Sequence, residues 1–284
     1  MRLGPWDIQV VGGGTFRLDG GGMFGTVPKV LWDPLCPADA ENRILMACNC
    51  LLLRGQVSGR QRTVLVDTGN GDKQDDRFMA RFQLEGRGVL ARNLARAGVT
   101  PADVDLVVLT HLHFDHAGGA TGLDPAGQPV PAFPNARYVV QQRDLDNARA
   151  PSPRERASYL AWNWEPLAQA GLLDPVQGAC ELLPGLRVRP APGHTPGLQA
   201  VEVAGAEGRL VYCADLFPTS HHIQPAWVMG YDLDVVTCVE ERQRLLDEVT
   251  GTGTVLVFEH DPVVAAGTVD RDAKGRYRVT PVAL

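Results

Sequence analysis

Short apolar runs bounded by turn-forming residues recur along the whole chain, and their length is typical of buried β-strands. Helical patterns separate some of these runs. Gly88–Ala97 carries one apolar stripe and is followed by Gly98 as a C-terminal cap, and we predict further helices over Arg154–Ala170 and Val239–Val249. Strands interleaved with helices predict an α/β protein. The predicted strands are Ile8–Val11, Ile44–Leu53, Thr63–Val66, Leu106–Thr110, Tyr138–Gln141, Leu186–Val188, Ala200–Val203, Leu210–Cys213 and Val255–Phe258.

The composition is typical of an ordinary globular chain. Its 284 residues include 27 Lys and Arg against 33 Asp and Glu, so the formal net charge is −6, and 44% of the residues are hydrophobic. The acidic balance argues against nucleic acid as the main partner, because phosphate binding requires a basic face. No apolar run approaches the roughly 20 residues that span a bilayer. No linker of Gly/Ser or Pro type divides the chain, so we expect one domain over residues 1–284.

Three local features have simple interpretations. The first residues lack a basic region followed by an apolar run, so we expect no signal peptide and a cytoplasmic location. The six cysteines are scattered, which favours reduced thiols, and we interpret Cys48 and Cys50 as core residues because no second Cys pair accompanies them. The glycine-rich segment Gly12–Met23 has no phosphate-loop Lys-Ser/Thr ending, so we interpret it as a flexible hairpin turn.

The densest group of metal-ligand residue types follows the predicted strand that begins at Leu106. His111, His113, Asp115 and His116 occur within six residues. In extended backbone, His111 and His113 project to the same side and can reach one metal ion. Asp115 and His116 come after the chain starts to turn, which directs them to a neighbouring ion or to bound water. Four ligand-type residues at this spacing predict a metal site.

Three further polar residues have the same placement, close to the carboxyl end of a predicted strand. His194 lies on a tight turn, Asp215 offers a carboxylate that can bridge two cations, and His260 ends the last predicted buried strand. The carboxyl ends of strands are where α/β proteins build their sites. Five of the seven histidines lie in these segments. The similar strands that lead to His111 and His260 would suit the two halves of a duplicated sandwich.

With these residues in this order, the sequence resembles the metallo-β-lactamase superfamily, from the turn Asp67-Thr-Gly to His260. The resemblance implies an αββα sandwich with two metal ions held at one edge between two sheets. It implies a first ion held by His111, His113 and His194. It implies a second ion held by Asp115, His116 and His260. Asp215 would bridge both ions, and Asp67 would orient a ligand imidazole.

The charges of this ligand set favour a hydrolase. Five neutral imidazoles and two carboxylates leave two dications with a net charge of +2, which suits a bridging hydroxide. We predict that the hydroxide attacks a substrate carbonyl and that Asp115 passes a proton to the leaving oxygen. We expect two divalent ions, with zinc preferred, although sites of this type also accept Mn, Fe or Co.

Within the superfamily, the His111–Gly119 motif and the Gly193–Gly197 turn look most like the quorum-quenching N-acyl-homoserine lactonases and their organophosphate-hydrolase relatives. This implies lactone, ester or aryl phosphotriester substrates. Lactonases commonly carry a Tyr three residues after the bridging Asp, where this chain has Pro218, so we predict His222 or Tyr231 as the replacement donor. Large apolar residues in the neighbouring loops predict a substrate pocket lined by Met23, Phe24, Trp32, Phe217 and Trp227.

Other functions stay open. A glyoxalase II-like thioesterase uses the same ligands but needs basic residues for a glutathione carboxylate, which the sequence does not identify. A mononuclear iron persulfide dioxygenase, from a different class, retains fewer ligands. A nuclease acting on tRNA 3′ ends is disfavoured by the absence of a basic arm. We expect a small-molecule ester or lactone as the partner, no nucleic acid and no membrane, and a homodimer stays open as the assembly.

Overall fold

The computed structural model describes all residues from Met1 to Leu284. Numbered in chain order, its strands are Arg2–Leu3 (β1), Trp6–Asp19 (β2), Arg43–Val57 (β3), Arg60–Val66 (β4), Leu106–Val108 (β5), Thr121–Leu123 (β6), Pro129–Pro131 (β7), Arg137–Gln141 (β8), Leu173–Val176 (β9), Cys180–Leu183 (β10), Leu186–Pro190 (β11), Gln199–Gly205 (β12), Gly208–Tyr212 (β13), Val255–Val257 (β14), Ala266–Arg271 (β15) and Tyr277–Pro281 (β16). Its α-helices are Gly20–Phe24 (α1), Lys29–Trp32 (α2), Asp76–Phe82 (α3), Val89–Arg96 (α4), Phe114–Ala117 (α5), Gln142–Arg149 (α6), Glu165–Gln169 (α7) and Val235–Val249 (α8).

The strands form two seven-stranded sheets, and β6 pairs separately with β7. The first has the order β1-β2-β3-β4-β5-β8-β9, and the second has the order β10-β11-β12-β13-β14-β15-β16. Side chains from both sheets, such as Leu53 and Val66 from the first and Val201 and Leu256 from the second, form one hydrophobic core. Helices α4 and α6 pack on the first sheet, and α8 packs on the second. The predicted α/β class and αββα sandwich are confirmed.

Parallel strand pairs bring four of the predicted site residues to one edge of the sandwich. Strand β4 runs parallel to β5 in the first sheet, and β13 runs parallel to β14 in the second. Asp67 and His111 follow β4 and β5, whereas Asp215 and His260 follow β13 and β14. Because parallel strands end on the same side, each sheet presents one acid and one histidine at its carboxyl edge. The equivalence is confined to these central strands, because β8 and β9 continue parallel in the first sheet whereas β15 and β16 are antiparallel in the second, so the duplicated sandwich stays a prediction.

All nine predicted strands coincide with observed ones, and most ends differ by a few residues, although β2 continues eight residues beyond the predicted end at Val11. The helices predicted over 88–97 and 239–249 correspond to α4 and α8, and α8 begins earlier, after Asp234, whose carboxylate accepts a hydrogen bond from the Thr237 amide at 3.0 Å. The shorter edge strands, including β1, β10 and β16, were not predicted, because brief half-buried runs carry a weak pattern. None of the helices is long and apolar enough to cross a membrane.

The segment Gly12–Met23 is not the flexible hairpin turn that its glycines predict. Strand β2 continues through it to Asp19 with an irregular register after Gly12, and the Asp19 carboxylate then caps α1. Strand β3 pairs with β2 on both sides of this irregularity and supplies its backbone hydrogen bonds. A Cβ added at Gly13 would lie 3.0 Å from the Cys50 sulfur, so glycine allows the close approach of the two strands.

The helix predicted over Arg154–Ala170 is wrong, since only α7 near its end is α-helical. The Phe114 amide donates a hydrogen bond to the Ser158 carbonyl at 2.9 Å, and His113 forms an isolated β-bridge with Tyr159. These contacts hold the segment in irregular backbone beside the histidine motif. Tertiary contacts therefore override the local helical pattern.

The cysteines are free thiols, as predicted. Cys48 and Cys50 are fully buried in hydrophobic clusters, and burial raises the pKa of both thiols well above the ordinary value. The Asn70 side-chain amide donates to the Cys48 sulfur at 3.2 Å. Neither thiol belongs to a group of potential metal ligands, so both act as packing residues.

Candidate metal centre

Seven predicted ligand side chains converge at the carboxyl edge of the two sheets, and each is at most 7% exposed. Most of them form two groups, within each of which three potential ligand atoms lie within 4.8 Å of one another. The three-histidine cluster consists of His111, His113 and His194. The mixed cluster consists of Asp115, His116 and His260.

The backbone after β5 explains how one short motif contributes to both clusters. The chain is extended at His113, which is the N-cap of α5. Helix α5 then turns the backbone, so that Asp115 and His116 join a different group from His111 and His113. The motif's spacing predicts this division between two neighbouring ions.

Asp215 lies between the two clusters. Its Oδ2 atom is 3.0 Å from Nε2 of His194, and its Oδ1 atom is 3.1 Å from Nε2 of His260. It also groups with His111 and His116, whose Nε2 atoms lie 3.9 and 3.5 Å from Oδ2. Oδ1 therefore faces the mixed cluster and Oδ2 lies near histidines of both clusters, so this carboxylate is placed to bridge two ions.

Close nitrogen contacts show that these clusters suit a bound cation. Nε2 of His116 lies 3.1 Å from Nε2 of His260, and Nδ1 of His113 lies 3.2 Å from Nε2 of His194. Nε2 of His111 is buried without a hydrogen-bond partner. Imidazole lone pairs at these distances repel one another unless a proton or a metal ion lies between them. The imidazole and carboxylate donors suit Zn²⁺ and other divalent transition metals.

Two acids contact Nδ1 of His116. Oδ2 of Asp67 lies 3.0 Å from this nitrogen. The Asp67 carboxylate also accepts hydrogen bonds from the amide and the hydroxyl of Thr110, at 2.7 and 2.6 Å. Glu259, which the sequence analysis missed, lies with Oε2 at 2.8 Å from the same nitrogen. Burial, reinforced by the charge of Asp67, raises the pKa of Glu259 to about 8. Its only signal in the sequence is its place directly before His260 at the end of a buried strand.

Two other imidazoles are oriented by separate partners. Oδ1 of Asp232 lies 3.0 Å from Nδ1 of His194, and Oδ2 of Asp232 accepts a hydrogen bond from the Met229 amide at 2.9 Å. Nδ1 of His260 lies 2.8 Å from the carbonyl oxygen of Ala47. Partners of this kind set the tautomer and the orientation of a ligand imidazole. Asp232 has no motif around it, so its role is visible only in the structure.

The two clusters differ in their electrostatics. Burial lowers the pKa of His111 and His113 well below the ordinary value, and neighbouring imidazoles add to this effect. At His260 burial opposes protonation, but the Asp215 carboxylate outweighs it and raises the pKa to about 9. Burial would raise the pKa of Asp215, yet the surrounding histidines hold that pKa well below its usual range.

A cavity of about 410 Å³ opens beside both clusters. Asp115, Asp215 and three of the ligand histidines form its floor. Arg154 is the one Lys or Arg side chain in its wall, where Glu155 and Tyr231 also lie. The rest of the wall is mainly apolar and includes Leu18, Met23, Phe82, Phe114, Met229 and Leu233.

Most of the aromatic residues predicted to line the pocket are elsewhere. Met23 lines the cavity, but Phe24, Trp32, Phe217 and Trp227 do not, so the prediction for these four is wrong. Phe24 stacks on Trp32 with ring centroids 5.2 Å apart. The rings of Phe24 and Trp227 are nearly perpendicular, with centroids 5.9 Å apart. Phe217 is fully buried in the core between the sheets. Burying large apolar side chains stabilises these loops more than exposing them to a cavity would.

His222 does not line the cavity, which contradicts its prediction as a substrate donor. Its Nδ1 lies 2.7 Å from the Thr219 hydroxyl, and its Nε2 lies 2.9 Å from the Met23 carbonyl oxygen. Burial lowers the pKa of His222 to about 3, so the ring is neutral. Both nitrogens are engaged, and His222 therefore fixes the loop that carries Met23.

A model of the metallo-β-lactamase superfamily matches residues 43–260. The chain belongs to this superfamily. A probable metallo-hydrolase of Mycobacterium tuberculosis is 30% identical over 220 residues, which cover 69% of this chain and 66% of that protein. The N-acyl homoserine lactonase AttM of Azorhizobium caulinodans is 30% identical over 187 residues, which cover 63% of this chain and 65% of AttM. The matched part of the chain thus spans just under two thirds of these relatives.

Solved structures match over a greater length. A probable metal-dependent hydrolase from Staphylococcus aureus has a TM-score of 0.88 and 28% identity, with 100% of both chains covered. AidC, a dizinc quorum-quenching lactonase solved with a product, has a TM-score of 0.80 over 100% of this chain and 97% of its own. Its identity is 23%, so this likeness concerns the fold alone. The metallo-hydrolase and lactonase relatives, together with the His/Asp clusters, support a metal-dependent hydrolase.

Proposed function

We propose that this protein is a dinuclear metal-dependent hydrolase that opens lactone or ester bonds in substrates with an apolar acyl or aryl part. The observation that carries the proposal is one cavity that brings both clusters together with a mainly apolar wall. Pockets of this kind bind small molecules through apolar contacts and a few well-placed polar groups. The lactonase named among the relatives favours a lactone as the first substrate to test.

The proposed ligands are those that the geometry groups. The three-histidine cluster holds one ion, the mixed cluster holds the other, and Asp215 is shared between them. Zinc is the proposed metal, and Mn, Fe and Co fit the same donor types. When bound, the ions supply a hydroxide nucleophile at neutral pH and polarise the substrate carbonyl.

Asp115 is the proposed proton carrier. Its carboxylate lines the cavity, with Oδ1 at 3.9 Å from Nε2 of His116 and Oδ2 at 3.7 Å from Nε2 of His260. It therefore lies beside two of the histidines that would hold an ion and faces the space that a substrate would occupy. In this position it receives the proton of the attacking group and delivers it to the leaving oxygen.

Tyr231 is the proposed donor to the substrate carbonyl. Its side chain lines the cavity and is 41% exposed, and burial of the rest of the ring raises the pKa of its hydroxyl, which keeps its proton. Pro218 occupies the position where lactonases commonly carry a Tyr, and its carbonyl accepts the His260 amide at 2.8 Å. Tyr231 thus supplies from another loop the hydroxyl that Pro218 lacks.

The cavity wall disfavours the thioesterase alternative. Arg154 is its one Lys or Arg side chain, and its guanidinium already donates to the Gly230 carbonyl. Glu155 lies in the same wall. A glutathione thioester carries two carboxylates, and one arginine cannot supply a separate cationic partner for each.

The test combines metal analysis with a substrate panel of an N-acyl-homoserine lactone, an aryl ester, a paraoxon-type triester and S-lactoylglutathione. We expect two divalent ions per chain and turnover of the lactone or the ester. The Tyr231→Phe variant should keep both ions and lose about 10²-fold in kcat, the usual cost of removing one oxyanion donor. Two ions without lactone or ester turnover would overturn the substrate class. One iron with oxygen uptake would overturn the hydrolase.

A further inference from the structure

Asp144 is a fully buried acid that the proposed reaction does not use. It lies in the first turn of α6 and accepts hydrogen bonds from three separate segments of the chain. Its Oδ2 atom accepts the Leu112 amide at 2.8 Å. Its Oδ1 atom accepts the Thr195 hydroxyl at 2.7 Å and the Tyr159 hydroxyl at 3.1 Å. A buried carboxylate is stabilised by such a complete set of donors.

Each of these donors lies directly beside a member of the three-histidine cluster. Leu112 separates His111 from His113, and Thr195 follows His194. The Tyr159 ring packs edge-on against His113, with centroids 4.6 Å apart. One carboxylate thus connects the neighbours of all three ligands, which come from segments far apart in the sequence.

The backbone of α6 also approaches the turn Gly193–Gly197 closely. A Cβ added at Gly197 would overlap the backbone nitrogen and Cα of Asp144. The first turn of α6 therefore packs directly on the turn that carries His194, and glycine is required for that approach. This contact explains why the turn that begins at Gly193 ends in a second glycine.

The mixed cluster has different anchors. His116 is oriented by Asp67 and Glu259, and His260 is oriented by the Ala47 carbonyl. None of these groups is hydrogen-bonded to Asp144. A change at Asp144 should therefore act on one cluster and spare the other.

We propose that Asp144 is the positioning residue of the three-histidine cluster, where it fixes the relative placement of His111, His113 and His194 before an ion binds. This inference rests on the proposed two-ion function. The physical reason is preorganisation: ligands that are already in place bind an ion without first ordering three loop segments. Loss of such outer partners typically lowers metal affinity 10- to 100-fold.

The test measures the stoichiometry and affinity of Zn²⁺ binding to the metal-free full-length chain by calorimetry, at a temperature where each variant is folded. In Asp144→Ala we expect one equivalent to bind as in the wild type and the other to bind about 10- to 100-fold more weakly. The affinity of Asp144→Asn for the second equivalent should lie between those of the wild type and Asp144→Ala, because the side-chain amide oxygen can still accept a hydrogen bond from the Leu112 amide. The matched control is Asp146→Ala, an exposed acid on the same helix, which should bind both ions normally.

Two results would overturn the inference: Asp144→Ala binding both ions with wild-type affinity, or losing both in parallel. If Asp144→Ala does not fold, Thr195→Val is the substitute variant, because it removes one of the three hydrogen bonds to Asp144. It should lower the affinity for one equivalent of Zn²⁺ by a smaller factor. Unchanged affinity in that variant would also overturn the inference. A wild-type chain that binds no divalent ion would overturn the proposed function and this inference together, whereas two normal ions in Asp144→Ala would overturn the inference alone.

Discussion

The three-histidine cluster and the mixed cluster share Asp215 but have different surroundings. In the three-histidine cluster, Nδ1 of His111 faces the Thr110 hydroxyl, and one acid, Asp232, contacts a ligand imidazole from outside. In the mixed cluster one of the three proposed ligands is itself an acid, and two further buried acids face Nδ1 of His116. Charge is therefore distributed unevenly between two sites that lie side by side.

Because of this difference, an ion at each cluster competes with a different number of protons for its ligand side chains. Burial lowers the pKa of His111 and His113, so these rings are neutral and ready to bind metal near pH 7. Burial opposes protonation of His116 as well, but Glu259 and other carboxylates raise its pKa, and His260 has a pKa of about 9. A ligand that holds a proton must lose it before metal binds. The carboxylates of the mixed cluster thus attract the ion and also favour the proton that competes with it.

The largest expected effect removes the residue that the clusters share. Asp215→Ala should weaken the binding of both ions and lower kcat/KM by about 10³-fold or more. The reason is that Asp215 contacts histidines of both clusters and no other acid lies between the two clusters. Elemental analysis and lactone or ester kinetics would measure this. Asp247→Ala, an exposed acid on α8, is the control. A variant that lost one ion only would show that Asp215 belongs to a single cluster.

A mirrored pair of variants would separate the clusters. Asp67→Asn should lower the metal affinity of the mixed cluster by about 10- to 100-fold, because Asp67 orients His116. Asp232→Asn should lower the affinity of the three-histidine cluster by about tenfold, because Asp232 orients His194. Stepwise Zn²⁺ affinities would measure both effects. If each variant lowered the affinity for both ions equally, the two clusters would act as one unit, and the prediction would be wrong.

Proton release should differ between the two ions. At about pH 7 the metal-free His260, with its pKa of about 9, is protonated, and carboxylates also raise the pKa of His116, so binding at the mixed cluster should release about one to two protons. Binding at the three-histidine cluster should release fewer, since His111 and His113 are already neutral and only His194 has a raised pKa there, because Asp215 and Asp232 outweigh its burial. The release should decline as the pH rises through about 9. Calorimetry in buffers of different ionisation enthalpy measures it, and equal release by both ions would contradict the comparison.

The smallest expected effect on catalysis is at His222, which belongs to neither cluster. His222→Gln should leave both metal affinities and kcat/KM within about twofold of the wild type, because the ring does not reach the cavity. It should reduce the free energy of unfolding by roughly 1–3 kcal/mol, since Thr219 or the Met23 carbonyl loses a buried partner. Denaturant unfolding and substrate kinetics would measure the two effects. Loss of an ion in this variant would place His222 in the site.

Much of the fold and the ligand set could be predicted because both have local signals. A buried strand followed by His111, His113, Asp115 and His116 has a spacing that is informative by itself. The predicted strands were recovered for the same reason, since alternation and length are properties of a short window. The helix over Arg154–Ala170 failed because contacts with the histidine motif, distant in the sequence, hold that segment in another conformation.

The amino-acid sequence by itself determined the α/β class, the superfamily resemblance and the seven side chains that converge on one edge, because each follows a recognisable strand end or turn. Only the tertiary structure decided what surrounds them. Glu259, Asp232 and Asp144 act through contacts across the fold, and no spacing rule marks them. The structure also decided which apolar residues line the cavity and which form the core, because burial depends on how distant elements pack together.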